Sequence, residues 1–174
     1  QESHLKVSDI PLMQWEWVGN IYGAGFNSKE NGVLTLFHRS INFKTENIIM
    51  DPMGRYVIRD LEHVTLVNIY GPNKDEPTFF THLISLLLPF MQSNIIIGGD
   101  FGIILSPDLD KSNNLSLRLT RSHAALSELM SSLGTLHPNT RDYTFTSTTH
   151  KTHSRLDLFL ISHNILKVTS HTTI

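Results

Sequence analysis

A chain of 174 residues, 40% of them hydrophobic, is the size of one domain with its own core. Its 17% charged residues, seven prolines and ten glycines exclude a disordered composition, no apolar run reaches a membrane span, and the lack of cysteine excludes disulfides and thiolate sites. A net charge of −2 and a pI near 6.6 exclude tight nucleic-acid binding through a basic surface alone, yet leave room for a cleft that handles phosphate through a bound cation.

The β signals come first along the chain. Residues 32–37, 41–49, 55–59 and 63–70 are short runs rich in Val, Ile, Leu and Tyr, separated by Asn-Gly, Asp51-Pro52 and Asp60-Leu61-Glu62, and they predict successive antiparallel strands. After Gly71-Pro72-Asn73, Pro77 suits a first helical turn, and Phe79, Leu83, Leu86, Leu87 and Phe90 recur at helical spacing until Pro89 disturbs the end. Trp15 and Trp17 alternate with Glu16 and are expected to serve in core or cross-strand packing.

The next segment, Asn94-Ile95-Ile96-Ile97-Gly98-Gly99-Asp100-Phe101, joins a buried-strand signal to a carboxylate at its carboxyl end. Its paired glycines suggest room for a phosphate and its metal to approach the backbone beside Asp100. A polar loop over 106–116 follows, and then a second helix capped by Thr120, with Leu126, Leu129, Met130 and Leu133 on one face and Gly134 as its stop. Strands are predicted over 143–146 and 154–161, with 165–168 opening a further one. Many strands with two intervening helices imply an α+β sandwich in a single domain over 1–174.

The ordered motifs Gln1-Glu2-Ser3-His4-Leu5, Asn27-Ser28-Lys29, Gly54-Arg55-Tyr56-Val57, Asn68-Ile69-Tyr70-Gly71-Pro72-Asn73, Gly98-Gly99-Asp100-Phe101, Tyr143-Thr144-Phe145 and Ser154-Arg155-Leu156-Asp157 span nearly the whole chain. Together they resemble the endonuclease/exonuclease/phosphatase superfamily, and within it the apurinic-type endonuclease domain of non-LTR retrotransposons of the long interspersed type. The resemblance implies two β-sheets packed as a sandwich flanked by helices, as in pancreatic deoxyribonuclease. It implies a phosphodiesterase that uses Mg²⁺ or Mn²⁺ to nick DNA, works in the nucleus and is joined to a reverse transcriptase region in one polyprotein. Glu2 then corresponds to the metal-holding carboxylate, Tyr70 to the contact on the scissile phosphate, Asp100 to the group that orients or deprotonates the attacking water, and Asp157 to the carboxylate that steers a histidine. Asn73, Thr144 and Arg155 correspond to substrate contacts.

Each position also has a plainer reading. Alone, Glu2 is a solvated terminal carboxylate, Tyr70 closes a strand, Asp100 caps a turn and Asp157 is half of a salt bridge with Arg55, Arg59 or Arg155. Among ten histidines, His4, His150, His153, His163 and His171 lack the helical spacing of a zinc site and read as surface residues.

Departures from the family pattern set a further expectation. Gly102 stands where the family has an Asn whose amide helps hold the phosphate. The family's closing Ser-Asp-His strand is not reached by Ile174, and Ser162-His163 and Ser170-His171 lack its Asp. The region between Leu133 and Pro138 is short, and the family's first core strand does not precede Glu2. The sequence thus reads as a domain truncated at both ends with impaired turnover. A non-catalytic remnant that binds nucleic acid or a protein, or a phosphatase or lipid phosphodiesterase of the same superfamily, are the alternatives.

Overall fold

A computed structural model of the chain describes residues 1–112, 119–136 and 143–166. A 3₁₀ segment, Val7–Trp15, leads into strands β1 (Gly19–Ala24) and β2 (Val33–His38), which pair with each other in an antiparallel two-stranded sheet. Strands β3 (Thr45–Met50), β4 (Tyr56–Leu61) and β5 (Val64–Tyr70) follow as an antiparallel meander. The expected strand at 32–37 therefore exists as β2, but it pairs with β1, an element the alternation of small and polar residues in Gly19–Ala24 had concealed. The expected strand at 41–49 begins only at Thr45.

Helix α1 (Pro77–Leu87) starts at its proline and gives way to a 3₁₀ turn, Leu88–Phe90, around Pro89, as the pattern predicted. Strand β6 (Asn94–Asp100) then runs parallel to β5. A short helix α2 (Pro107–Asp110) and helix α3 (Arg121–Leu133) precede strands β7 (Thr135–Leu136), β8 (Phe145–Ser147), β9 (Thr152–Ser154) and β10 (Asp157–Ser162). Thr120 caps α3 by accepting the His123 amide, and Gly134 closes it in the left-handed conformation, φ 57°. His163–Leu166 forms a helical turn, α4, so the strand expected from 165 does not start there; 167 and 168 lie outside the described residues.

The main sheet has the order β3-β4-β5-β6-β10-β7, and β8 and β9 form a separate hairpin. Alternation along each strand sorts its side chains between two faces. One face, with Ile58, Val67, Ile69, Ile95, Ile97, Leu158 and Leu160, packs on Phe80, Leu83 and Leu87 of α1 and Leu126 and Leu129 of α3. Burial of each such side chain contributes about 1.5–3 kcal/mol before conformational entropy is counted. On the other face, Val57 and Tyr70 pack with Tyr22, Ala24 and Val33 of the β1–β2 pair. This is an α+β sandwich, a six-stranded sheet covered by helices on one side and by a smaller sheet on the other.

The paired glycines of β6 also serve this packing. A Cβ on Gly99 would lie 2.0 Å from the Ile69 carbonyl oxygen, and one on Gly98 would lie 2.6 Å from the Phe159 ring. A side chain at Gly99 would therefore push β5 away from β6, whereas one at Gly98 would displace the Phe159 ring. Among the described residues, no helix is long and apolar enough to cross a membrane.

Candidate active site

Strand register places three of the candidate side chains in one row. Tyr70 at the end of β5 is the parallel partner of Asp100 at the end of β6, and Asp157 at the start of β10 is the antiparallel partner of Asp100. All three lie on the face toward β1 and β2, on adjacent strands spaced about 4.8 Å apart. The row is held from behind by backbone bonds: the Gly71 amide donates to the Asp100 carbonyl at 2.6 Å and the Phe101 amide to the Leu156 carbonyl at 2.9 Å.

Glu2 joins the row through Tyr70, whose hydroxyl donates to Glu2 Oε1 at 2.5 Å while accepting from Asn73 Nδ2 at 3.2 Å. The segment carrying Glu2 is tied down beside the row, because the Ser3 amide donates to the Gly32 carbonyl and the His4 amide to the Asn31 carbonyl. Glu2 itself has φ 51°, a left-handed conformation that costs a non-glycine residue about 1–2 kcal/mol. Those two anchors and the Tyr70 bond oppose that cost. Glu2 is exposed, but it is not merely solvated.

Asp100 and Asp157 are like charges placed directly opposite each other, an arrangement that destabilises a sheet. Burial raises the Asp100 pKa, and the charges of Asp157 and Glu2 push it in the same direction, while the Gly102 amide, donating to Asp100 Oδ1 at 2.8 Å, pulls it down. Asp100 therefore holds a turn and also carries a proton affinity above that of an ordinary carboxylate. Burial, the hydrogen bond to Glu2 and nearby carboxylates raise the Tyr70 pKa, so at neutral pH its hydroxyl stays a donor.

Arg155, expected to touch substrate, lies buried in an ion pair. It is 1% exposed, and its guanidinium donates from Nε and Nη2 to Asp110 Oδ1, itself fully buried. Asp110 also accepts from the Ser106 amide through Oδ2 and from the Arg155 amide through its carbonyl, which clamps the loop after β6 to the start of β10. Asp157 has no salt bridge with this arginine or with Arg55, which pairs with Asp51 and Glu76. The Arg59 guanidinium lies over the Tyr22 ring, 3.7 Å from its centroid. Asp110 sits in an Asp-Leu-Asp-Lys run that reads as solvated loop, so nothing in the sequence marked it as this partner.

Thr144 acts on the backbone. Its hydroxyl accepts the Leu156 amide at 3.0 Å and the Asp157 amide at 3.1 Å, capping the entry to β10. Gly102 takes φ 64°, and a Cβ there would lie 2.6 Å from the Pro72 carbonyl oxygen. Glycine is thus the residue this turn accepts without movement. His4, His150, His153 and His163 are exposed, as expected of surface residues; His171, Ser170 and Pro138 lie outside the described residues. Trp15, expected to pack, is 87% exposed, whereas Trp17 packs at the β1–β2 pair and donates its indole N–H to the Phe37 carbonyl.

Among the described residues, no group of three or more His, Cys, Asp or Glu side chains is closed around a common centre. Glu2, Asp100 and Asp157 feel one another's charge, and carboxylate oxygens are the donor type suited to a hard divalent cation that keeps several of its own waters and takes one or two carboxylates from the protein.

This layered α+β architecture is shared by solved nuclease structures. Solved structures that share it include a 3′-5′ exonuclease from Neisseria meningitidis, with TM-score 0.73 and 18% identity over 95% of this chain and 76% of that one. An AP endonuclease from Archaeoglobus fulgidus matches with TM-score 0.73 and 17% identity over the same shares of the two chains. The endonuclease domain of TRAS1, a telomere-specific non-LTR retrotransposon, matches with TM-score 0.61 and 16% identity over 85% of this chain and 68% of that domain. No protein-family model matches the chain.

Proposed function

We propose that this chain is the metal-dependent phosphodiesterase domain of a retroelement-type endonuclease that nicks DNA, with turnover reduced by the glycine at 102. The observation that carries the reading is the in-register row of Tyr70, Asp100 and Asp157 tied to Glu2 through the Tyr70 hydroxyl. Attack of water on an anionic diester needs a base, a donor to the phosphoryl oxygens and compensation of charge. Asp100, with its raised proton affinity, takes the proton of the attacking water; Asp157 raises that affinity further across the strand pair. The Tyr70 hydroxyl and Asn73 amide face the phosphate, and Thr144 and the Asp110–Arg155 pair hold Asp157 in place.

Glu2 would hold Mg²⁺ or Mn²⁺, which supplies Lewis-acid polarisation of the phosphoryl oxygens when bound. The retroelement context is supported by the order of Tyr143-Thr144-Phe145 and Ser154-Arg155-Leu156-Asp157 and by likeness to a retrotransposon endonuclease domain. On that reading the protein works on nuclear DNA beside a reverse transcriptase region of the same polyprotein. A side-chain amide at 102 is missing from the phosphate's surroundings, and one lost donor of this kind costs about a hundredfold or more in rate.

Nicking of supercoiled plasmid tests the reading. With Mg²⁺, and not with chelator, the chain is expected to convert plasmid to the open circle slowly, and Glu2→Ala and Asp100→Ala to abolish the conversion. Conversion that persists in both variants removes the site assignment. Plasmid binding with no metal-dependent nicking assigns the non-catalytic alternative instead.

A further inference from the structure

The loop over 71–76 follows Tyr70 and holds nearly all of its polar side chains to other elements. Asn73 donates to the Tyr70 hydroxyl. Asp75 accepts the amide and hydroxyl of Ser122 at the start of α3, at 2.8 and 2.7 Å, and pairs with Arg121. Glu76 pairs with Arg55 at 2.9 Å. Lys74, exposed between these anchored neighbours, makes no hydrogen bond or ion pair among the described residues.

Its position sets it apart from other exposed lysines. Two grooves meet at the 71–76 loop, one of about 270 Å³ that reaches Tyr70 and is lined by Glu30, Asn31 and Arg55, the other of about 250 Å³ lined by Gly102, Ile103, Thr120 and His123. Asn73 and Lys74 line both, and form the ridge between them. A strand that presents one phosphate to Tyr70 and Asn73 must cross this ridge to continue. An ammonium on a flexible four-carbon stem, one residue beyond Asn73, is then within reach of the next phosphate.

We propose that Lys74 binds the DNA backbone phosphate adjacent to the scissile one, and that the cleaved strand passes over the 71–76 loop from one groove into the other. The proposal rests on the nuclease reading above. The chain has net charge −2, and Glu30 lines the first groove, so a diffuse basic field does not supply the attraction. A single well-placed cation then carries a large share of it, and the anchoring of Asp75 and Glu76 keeps their carboxylates engaged with Ser122, Arg121 and Arg55 rather than with Lys74.

The experiment is equilibrium binding of the full chain to a fluorescein-labelled DNA duplex in chelator, from about 50 to 200 mM salt, so that no cleavage intervenes. Lys74→Ala is expected to weaken binding several-fold at low salt and to reduce the slope of log affinity against log salt by about one. Lys74→Arg is expected to restore the slope. Lys44→Ala, which removes a cation beside Glu62 at the opposite end of the sheet, is expected to leave it unchanged. Equal slopes for the unaltered chain and Lys74→Ala overturn the proposal while the nuclease reading stands, as does an equal loss in Lys44→Ala. Failure of the unaltered chain to bind duplex at any salt overturns the nuclease reading and the Lys74 contact with it.

Discussion

At the scale of single residues, Asp100 sets chemistry against stability. Its folded pKa is raised, first by burial, so the folded state holds the proton more tightly than the unfolded chain does. The stability that this proton confers is present below the unfolded carboxylate pKa and is lost as pH rises through the folded value. Asp100→Asn keeps the acceptor for the Gly102 amide and removes the charge facing Asp157, so it is expected to raise the melting temperature at pH 7 while abolishing nicking. The gain should shrink as pH falls toward 4; a constant gain across thermal melts from pH 4 to 8 would contradict the assignment. Gly102 makes the opposite case. Although Asn tolerates left-handed backbone, a Cβ 2.6 Å from the Pro72 oxygen forces the turn to shift. Gly102→Asn is therefore expected to destabilise by about 1–3 kcal/mol in urea titrations.

At the scale of elements, the buried Asp110–Arg155 pair fixes how β10 enters the sheet. Removing one partner strands the other charge without water, which costs about 3–5 kcal/mol, whereas replacing both with apolar groups of similar size is often neutral. Asp110→Ala should accordingly lower the urea midpoint sharply, and Asp110→Leu combined with Arg155→Met should recover much of the loss; a double variant no better than the single would show that the ion pair is not the cause. This element also shows where sequence reading stops. Helix α3 was legible because its cap, apolar stripe and glycine stop are local signals, and α1 because Pro77 and Pro89 bracket a helical period. Tyr70, Asp100 and Asp157 were legible as motifs at strand ends, but their alignment was not, since register belongs to pairs of strands. The ion pair of Arg155 was not legible because its partner lies 45 residues away. Strand β1 was missed because Gly19, Asn20, Gly23 and Ala24 carry little β preference, and its pairing with β2 overrides that weakness.

At the scale of the whole molecule, the two layers over the main sheet differ in kind. Helices α1 and α3 seal one face, while on the other the β1–β2 pair covers the β4–β5 side and leaves Phe159 40% exposed on β10. The covered portion is bridged by Asn68, whose amide donates to the Leu34 carbonyl at 2.8 Å and whose oxygen accepts from Gln1. The beginning of the chain, the smaller sheet and the central strands are thereby fastened together within reach of Glu2. The row itself draws on positions 2, 70, 100 and 157, so long-range strand pairing must be complete before any of its chemistry exists. Because side chains alternate faces, a one-residue slip of β10 would turn Asp157 toward the helices and bring a leucine into its place. Such a molecule could keep its strands and helices and still lack the row. Cleavage per mole of protein would then count the molecules whose strands have found their proper neighbours, a quantity that circular dichroism does not see.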